Sequence, residues 1–484
     1  MPTDDALRTL AELERRYRAL PTHLTKQSRL EQALRLSIDQ HWPHAQRLPS
    51  HRLICQHLNV ARNTLAGTIQ RLVEQGLLMT DHGRGTWVHK PSTATATREP
   101  DIALSQRGER VLADIGASHV QSGAFVPGVP DIAHFPIARW RHLYSRITVP
   151  RNTLLLSYAS GGYGPLKRAI ADFLACWRGI HCDHDQIVIT EGAHHGLQLC
   201  AMALADVGDR VVMDSPYYWG ARNVFETSGL RLEHAPWSPR TGYREPLPAP
   251  HPTLLYFTGS HHYPLCTATV SAHKRELAAH LCPTWVLEDD YEFGDGTQRD
   301  LLFNDAAANR ILVGSFSKMM FPGLRLGYLV VPRALSAPIN RLRSGVFREG
   351  RLLDQAVLAA FIDGGDLDAW CRRTAAVYLA RQRTLAELLA GTPGIEAISP
   401  PAGNVSLCVE LSGTIDDERL ADSLLSRHHL VVRPLSRVCS DGDERRGLVL
   451  GIGMIKEEAL IDHGRRLAEG IRHFIARERR RQRR

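Results

Sequence analysis

From about residue 111 onward the sequence keeps returning to one pattern: a short apolar run, a turn, then an amphipathic helical stretch. QIVIT leads into EGAHHGLQLCAMAL and RVVMD into SPYYWGARNVFETSG, while TLLYF, WVLEDD and RILVGSFSK repeat the apolar part. Short β-rich runs alternating with helices predict an α/β fold, a mainly parallel sheet with helices on both faces. In such sheets function gathers at the carboxyl ends of the strands. Those ends are where chemistry is to be sought.

The run RILVG ends in Ser315-Phe316-Ser317-Lys318 and continues as MMFPGLRLGY. A lysine at a strand end among apolar residues loses hydration, and its pKa falls. Such an amine can form a Schiff base with an aldehyde. Arg325, seven residues on in a Gly-flanked turn, suits a phosphate, and Ser315 and Ser317 can donate to the same group. Taken alone, a strand-end lysine is usually a solvated amine. The whole string SFSKxxxPGxRxG points instead to a pyridoxal-phosphate site. Other parts of such a site stand at other strand ends. Glu191-Gly192-Ala193-His194-His195 follows a strand and opens a helix, so amides at Ala193 and His194 can cradle phosphate oxygens. Asp289 ends WVLEDD and can pair with a pyridinium nitrogen, which keeps the ring an electron sink. Tyr291 can reach the ring hydroxyl, and Tyr218 can stack on the ring face.

These pieces, with GVPDIAHFP at 128–136, Tyr158 before a Gly-rich turn and VVRPLSR, resemble the fold-type I aminotransferases of class I/II over about residues 115–475. The resemblance implies a smaller C-terminal α/β subdomain at about 335–475 and Lys318 as the cofactor-bearing lysine. It also implies Asp289 at the pyridine nitrogen, Tyr218 on the ring, and Arg325 and Ser315 on the phosphate. Tyr158 would reach the phosphate of a partner subunit, which makes a homodimer the expected state. For a substrate carboxylate a guanidinium fork is the natural match. Arg437 fits the family's Leu-Ser-Arg position, with Arg433 as the alternative four residues earlier. The chain departs from the family at Cys266, where a glycine usually follows the loop proline, at His194-His195, and in the short YEFGDG stretch.

The first ninety residues follow another logic. SRLEQALRLSIDQHW puts Leu30, Ala33, Leu34 and Ile38 on one helical face. LPSHRLICQHL starts a second helix at Pro49-Ser50, Asn59-Val60 makes a tight turn, and a third helix runs from Ala61 to Gln75 before Gly76. LLMT-DHGRG-TWV reads as two short strands about a Gly-rich turn, a wing. The helix after such a turn enters the major groove of double-stranded DNA with its N-terminal side chains on base edges. Here those are Arg62, Asn63 and Thr64: arginine suits guanine, asparagine adenine, and threonine a phosphate. Arg52 at the preceding helix start and Arg84 at the wing tip add phosphate or minor-groove contacts. Any one arginine is an ordinary surface residue; three at the groove-facing positions of one motif argue for DNA. LPSHRLICQHLNVARNTLAGTIQRLVEQGLL with GRGTWV resembles the GntR superfamily over residues 24–90, though Ala61 replaces a capping serine and Asn59 a turn glycine.

Residues 1–90 therefore read as a winged helix-turn-helix domain, 91–110 as a flexible Ser/Thr/Ala/Pro-rich linker, and 111–484 as the cofactor-binding body. A GntR head on an aminotransferase-like body resembles the MocR-type regulators, which the SHHYP stretch at 260–264 also matches. Charge agrees with this division. Of the net +8, residues 1–90 hold +5 and residues 471–484 hold +6, so the middle is mildly acidic and polyanion contacts belong at the ends. Nine scattered cysteines without a CxxC pair, no apolar run long enough for a membrane span, and an opening MPTDDALRTL unlike a secretory leader predict a reduced, cytoplasmic, metal-free protein. The expectation is a regulator sensing a small amine, an amino acid or the cofactor itself, possessing at most residual transaminase activity. A working aminotransferase with a DNA-binding appendage is the alternative. A cofactor-free interaction module is disfavoured by intact Lys318, Asp289 and Arg325.

Overall fold

The computed structural model describes residues 4–20, 25–81, 85–89, 104–113, 123–158, 161–292, 301–305, 307–348 and 350–482. They divide into two compact units, Met1–Ala103 and Leu104–Arg484.

The first unit is built on four helices, Asp4–Ala19, Lys26–Gln40, His51–Leu58 and Arg62–Glu74, followed by paired strands Leu78–Asp81 and Gly85–Val88. The expected apolar stripes form its core: Leu30, Ala33, Leu34, Ile38, Ile54, Leu58, Leu65, Ile69 and Leu72 are all buried. Ser50 caps its helix by accepting from the Leu53 amide, and Asn59 adopts the left-handed conformation (φ 49°) that turns the chain. Ala61, lacking a hydroxyl, gives the recognition helix no side-chain cap. The first helix was not anticipated. Leu10, Leu13 and Tyr17 lock it onto the same core, and the Arg29 guanidinium lies 4.5 Å from the Tyr17 ring centroid.

In the second unit the central sheet has eight strands. Their spatial order is 187–190, 327–330, 310–315, 285–290, 254–258, 210–215, 231–238 and 242–243. Strands 327–330 and 242–243 run antiparallel to their neighbours; the other pairings are parallel. Strands 187–190, 254–258 and 285–290 are buried along nearly their whole length, as expected where helices cover both faces. A separate antiparallel sheet, ordered 395–398, 406–411, 446–451 and 433–434, forms the core of the C-terminal part with helices Asp366–Leu389, Asp417–His428 and Glu457–Gln482. At the end of the stretch expected as linker, a helix begins at Gln106 and runs to Ala113. The Ser105 hydroxyl accepts from the Gly108 amide at its start, and Arg107 donates to the Thr227 carbonyl, tying the helix to the body.

Candidate functional site

Five parallel strands deliver their carboxyl ends to one place. Lys318 lies just beyond strand 310–315, and its Nζ donates to the Gly128 carbonyl at 2.7 Å. Gly128 has φ +72°, and a Cβ there would meet the amine at 2.1 Å, so only glycine allows this approach. Burial pulls the Lys318 pKa down and Arg433 adds to the effect, while Glu292, Cys266 and Asp289 oppose it. The amine is thereby eased towards its neutral, nucleophilic form.

Asp289, 1% exposed, ends strand 285–290. Its Oδ2 accepts from the Tyr256 hydroxyl at 3.0 Å, but its buried Oδ1 has no partner. Burial pushes the carboxyl up to about 7. A buried carboxylate oxygen without a donor is costly unless a cationic N–H meets it. That is the fit a protonated pyridine offers. On the other side, Arg325 Nη2 donates to the Glu191 carbonyl, and a Cβ at Gly192 would lie 3.4 Å from the guanidinium. The arginine therefore lies against the turn that opens helix Ala193–Leu204, where amides and a cation suit one phosphate. Ser315 Oγ is engaged by the Ser317 amide, and the Ser317 hydroxyl is buried without a partner. Tyr218 shares a 2.8 Å hydrogen bond with His194 Nε2 and packs edge-on to Tyr263 at 5.5 Å. Burial, then Arg325 and Lys318, hold His194 at about 4, so it is a neutral partner for that hydroxyl. Tyr291 is pushed upward by burial, keeping its hydroxyl protonated. These residues fit pyridoxal 5'-phosphate, whose ring, once bound, supplies the electron sink.

Two further expected residues are exposed. Tyr158 is 77% exposed with the Arg348 guanidinium 5.9 Å from its ring centroid. Arg437 is also exposed and paired with Glu418 at 2.9 Å. Arg433, opposite Val449 in the antiparallel sheet, donates to the Tyr263 hydroxyl at 2.7 Å and lies 5.4 Å from the Trp219 ring centroid. Its charge opposes the burial that raises the Tyr218 pKa and adds to the burial that lowers the Lys318 pKa. Cys266 has φ +55°, the left-handed backbone a glycine adopts freely, which explains the residue that position usually carries. YEFGDG continues beyond residue 292, outside the described residues.

Sequence reasoning missed Tyr256 and Glu292. Tyr256 sits within an apolar strand, where it reads as core, yet its hydroxyl holds Asp289. Glu292 is buried, accepts from the Val405 amide at 3.2 Å, and is pushed to about 7, chiefly by burial.

In the first unit, Arg52, Arg62 and Asn63 are exposed and Thr64 is half-buried at the start of the recognition helix. Arg84 lies outside the described residues. Arg47, which no sequence pattern marked, pairs with Trp87 of the wing and places its guanidinium 5.9 Å from that ring's centroid.

Fold and site together define a two-part protein: a winged helix-turn-helix joined to a pyridoxal-phosphate-binding body of aminotransferase type. Comparison with known families agrees, matching bacterial regulatory proteins of the gntR family at residues 26–88 and aminotransferase class I and II at 137–446. The probable rhizopine catabolism regulatory protein MocR of Rhizobium meliloti is 33% identical over 71% of this chain and 72% of its own. The HTH-type transcriptional regulator TauR of Rhodobacter capsulatus is 30% identical over 78% and 81%. Among solved structures, the α-aminoadipate aminotransferase LysN of Thermus thermophilus superposes with a TM-score of 0.67. It is 23% identical over 77% of this chain and 100% of its own, which bears on the fold. The chain belongs to the MocR-type HTH transcriptional regulators, a GntR DNA-binding domain fused to a class I and II aminotransferase domain. Among the described residues no helix is long and apolar enough to cross a membrane.

Proposed function

We propose that this regulator senses an amino acid, or an amine bearing a carboxylate, in the cytoplasm as a homodimer, with Lys318 and the cofactor taking the amine and Arg433 the carboxylate. The observation that carries the reading is Arg433 itself: a guanidinium bonded to Tyr263 and acting on Lys318 and Tyr218. Asp289, Tyr291 and Tyr218 hold the ring, while Ala193, His194, Ser315, Ser317 and Arg325 take the phosphate. Tyr158, exposed on its own chain, is the residue offered to a partner subunit's phosphate. A sensor needs only that the ligand favour one state over another, a coupling of about 1–3 kcal/mol. An enzyme must instead favour the transition state over the bound ligand.

The test pairs visible absorbance with DNA binding and promoter output across a panel of amino acids and amines. At least one carboxylated amine is expected to change both the spectrum and DNA binding or output. Arg433→Gln is expected to raise the concentration needed by roughly 10–100-fold, the loss of one charged hydrogen bond. Steady turnover near roughly 10 per second with no effect on DNA would make this an aminotransferase instead.

On the DNA side, Arg62, Asn63 and Thr64 are proposed to read the groove and Arg52 to hold a phosphate. Arg62→Ala is expected to cost roughly 1–3 kcal/mol in operator binding and to relax sequence preference. Arg52→Ala should lower the salt dependence by about one unit while leaving preference intact. Wild-type operator binding in both variants would remove these residues from the interface.

A further inference from the structure

We propose that the outer face of the C-terminal helix, Glu457–Gln482, is a second, sequence-independent contact for the phosphates of double-stranded DNA. Arg465, Arg472 and Arg479 recur every seven residues and all are exposed. At about 1.5 Å per residue they stand ~10 Å apart in one line along the helix, a stripe ~21 Å long. The opposite face anchors the helix: Leu460, Leu467, Ile471 and Phe474 are buried in the core of the C-terminal part. From Ala476 through Arg481 nothing on it is buried.

The stripe is poorly neutralised. Residues 465–482 hold seven arginines and two glutamates. Glu478 is engaged by Arg419 at 2.9 Å and Arg481 at 3.3 Å. Among the described residues, Arg465, Arg472, Arg479 and Arg480 have no ion pair. His428 of the adjoining helix stacks on His473 and is held below its ordinary pKa by burial, then by Arg466 and His473.

Compensation of the helix dipole accounts for cations in the last turn only, because that effect falls off within one turn. Arg465 and Arg472 lie well upstream, so the dipole does not explain the stripe. DNA is the polyanion favoured here, because the same chain carries a DNA-binding winged helix of the gntR family. The middle of the chain is mildly acidic and would repel phosphates; the stripe is the exception.

The test uses the full-length, cofactor-loaded protein on a long duplex of arbitrary sequence, with affinity followed against salt. Every phosphate that a variant no longer neutralises lowers the slope of log affinity against log salt by about 0.9. The variant Arg465→Gln/Arg472→Gln/Arg479→Gln is expected to lower it by roughly two to three, with cofactor absorbance unchanged. Arg479→Gln/Arg480→Gln, confined to a stretch without buried residues, guards against misfolding and is expected to lower it by nearly two. Arg62→Ala should act differently, relaxing sequence preference rather than arbitrary-sequence binding, which separates failure of this surface from failure of the winged helix. A wild-type slope in both tail variants overturns the proposal. Loss of binding to phosphatidylserine vesicles with an unchanged DNA slope also overturns it, in favour of a lipid surface.

Discussion

In Lys318→Ala the absorbance of covalently held cofactor is expected to give way to that of the free aldehyde, and borohydride reduction to leave no pyridoxyl group on any peptide. The effect is all or none, because among the described residues no other lysine combines position with availability. Lys274 is more deeply buried, but it donates to the Thr258 and Gly259 carbonyls and to Glu288, each at 2.7 Å. Among the described residues Lys318 donates to the Gly128 carbonyl alone, and burial lowers its pKa, which favours the neutral amine. The phosphate cradle at Arg325 and the acceptor at Asp289 remain in the variant. Weak, reversible cofactor retention and full DNA binding are therefore expected. Peptide mapping of the reduced wild type should place the group on Lys318, and its recovery on Lys167 or Lys274 would refute the assignment.

How much of this was legible in the sequence depends on how local each signal is. Lys318, Ser315 and Arg325 lie within eleven consecutive residues of one strand-turn-strand segment, so a short string carries their geometry. Tyr256 was not legible, because its partner Asp289 is on a neighbouring strand and only register brings them together. Within TLLYF a tyrosine reads as one more apolar strand residue. Arg433 and Arg437 could not be told apart, because a two-residue strand followed by a short turn has no periodicity to fix direction. The first helix is a different kind of miss. Leu10, Leu13 and Tyr17 sit at helical spacing on one face, and that signal was available.

The cofactor site is also wired to the C-terminal part through groups that no motif announces. The Glu292 carboxylate, near enough to Lys318 to affect its charge, accepts from the Val405 amide in the C-terminal part. Arg381 joins Asp131, three residues past Gly128, to the carbonyls of Ile452 and Gly453. Packed, charged neighbours thus join the surroundings of Lys318 to the C-terminal sheet.

The largest loss of stability is expected from Arg178→Ala. Arg178, 0% exposed at the end of helix Gly164–Arg178, meets Asp290 Oδ2 with Nε at 2.6 Å. Its Nη2 donates to Ser260 Oγ at 3.1 Å and to the Glu292 carbonyl at 2.6 Å. Truncation leaves a fully buried carboxylate with only the amide and hydroxyl of Ser260, and breaking such a pair costs about 3–5 kcal/mol. The pH dependence has a defined sign. Burial raises the Asp290 pKa, but Arg178 and Ser260 outweigh it and hold the carboxyl below its ordinary value. A depressed carboxyl contributes stability above its unfolded pKa of about 4, and that contribution fades as pH falls through the folded value. The deficit of Arg178→Ala is thus expected to be largest near neutral pH and to shrink in acid. It should also reach the cofactor, because Asp290 stands between Asp289 and Tyr291 and the same arginine holds the Glu292 carbonyl. Calorimetry across pH, with cofactor affinity measured in parallel, checks both parts. An unchanged melting temperature of the larger unit at neutral pH would show that Ser260 alone satisfies Asp290, and that the buried pair does not hold this strand end in place.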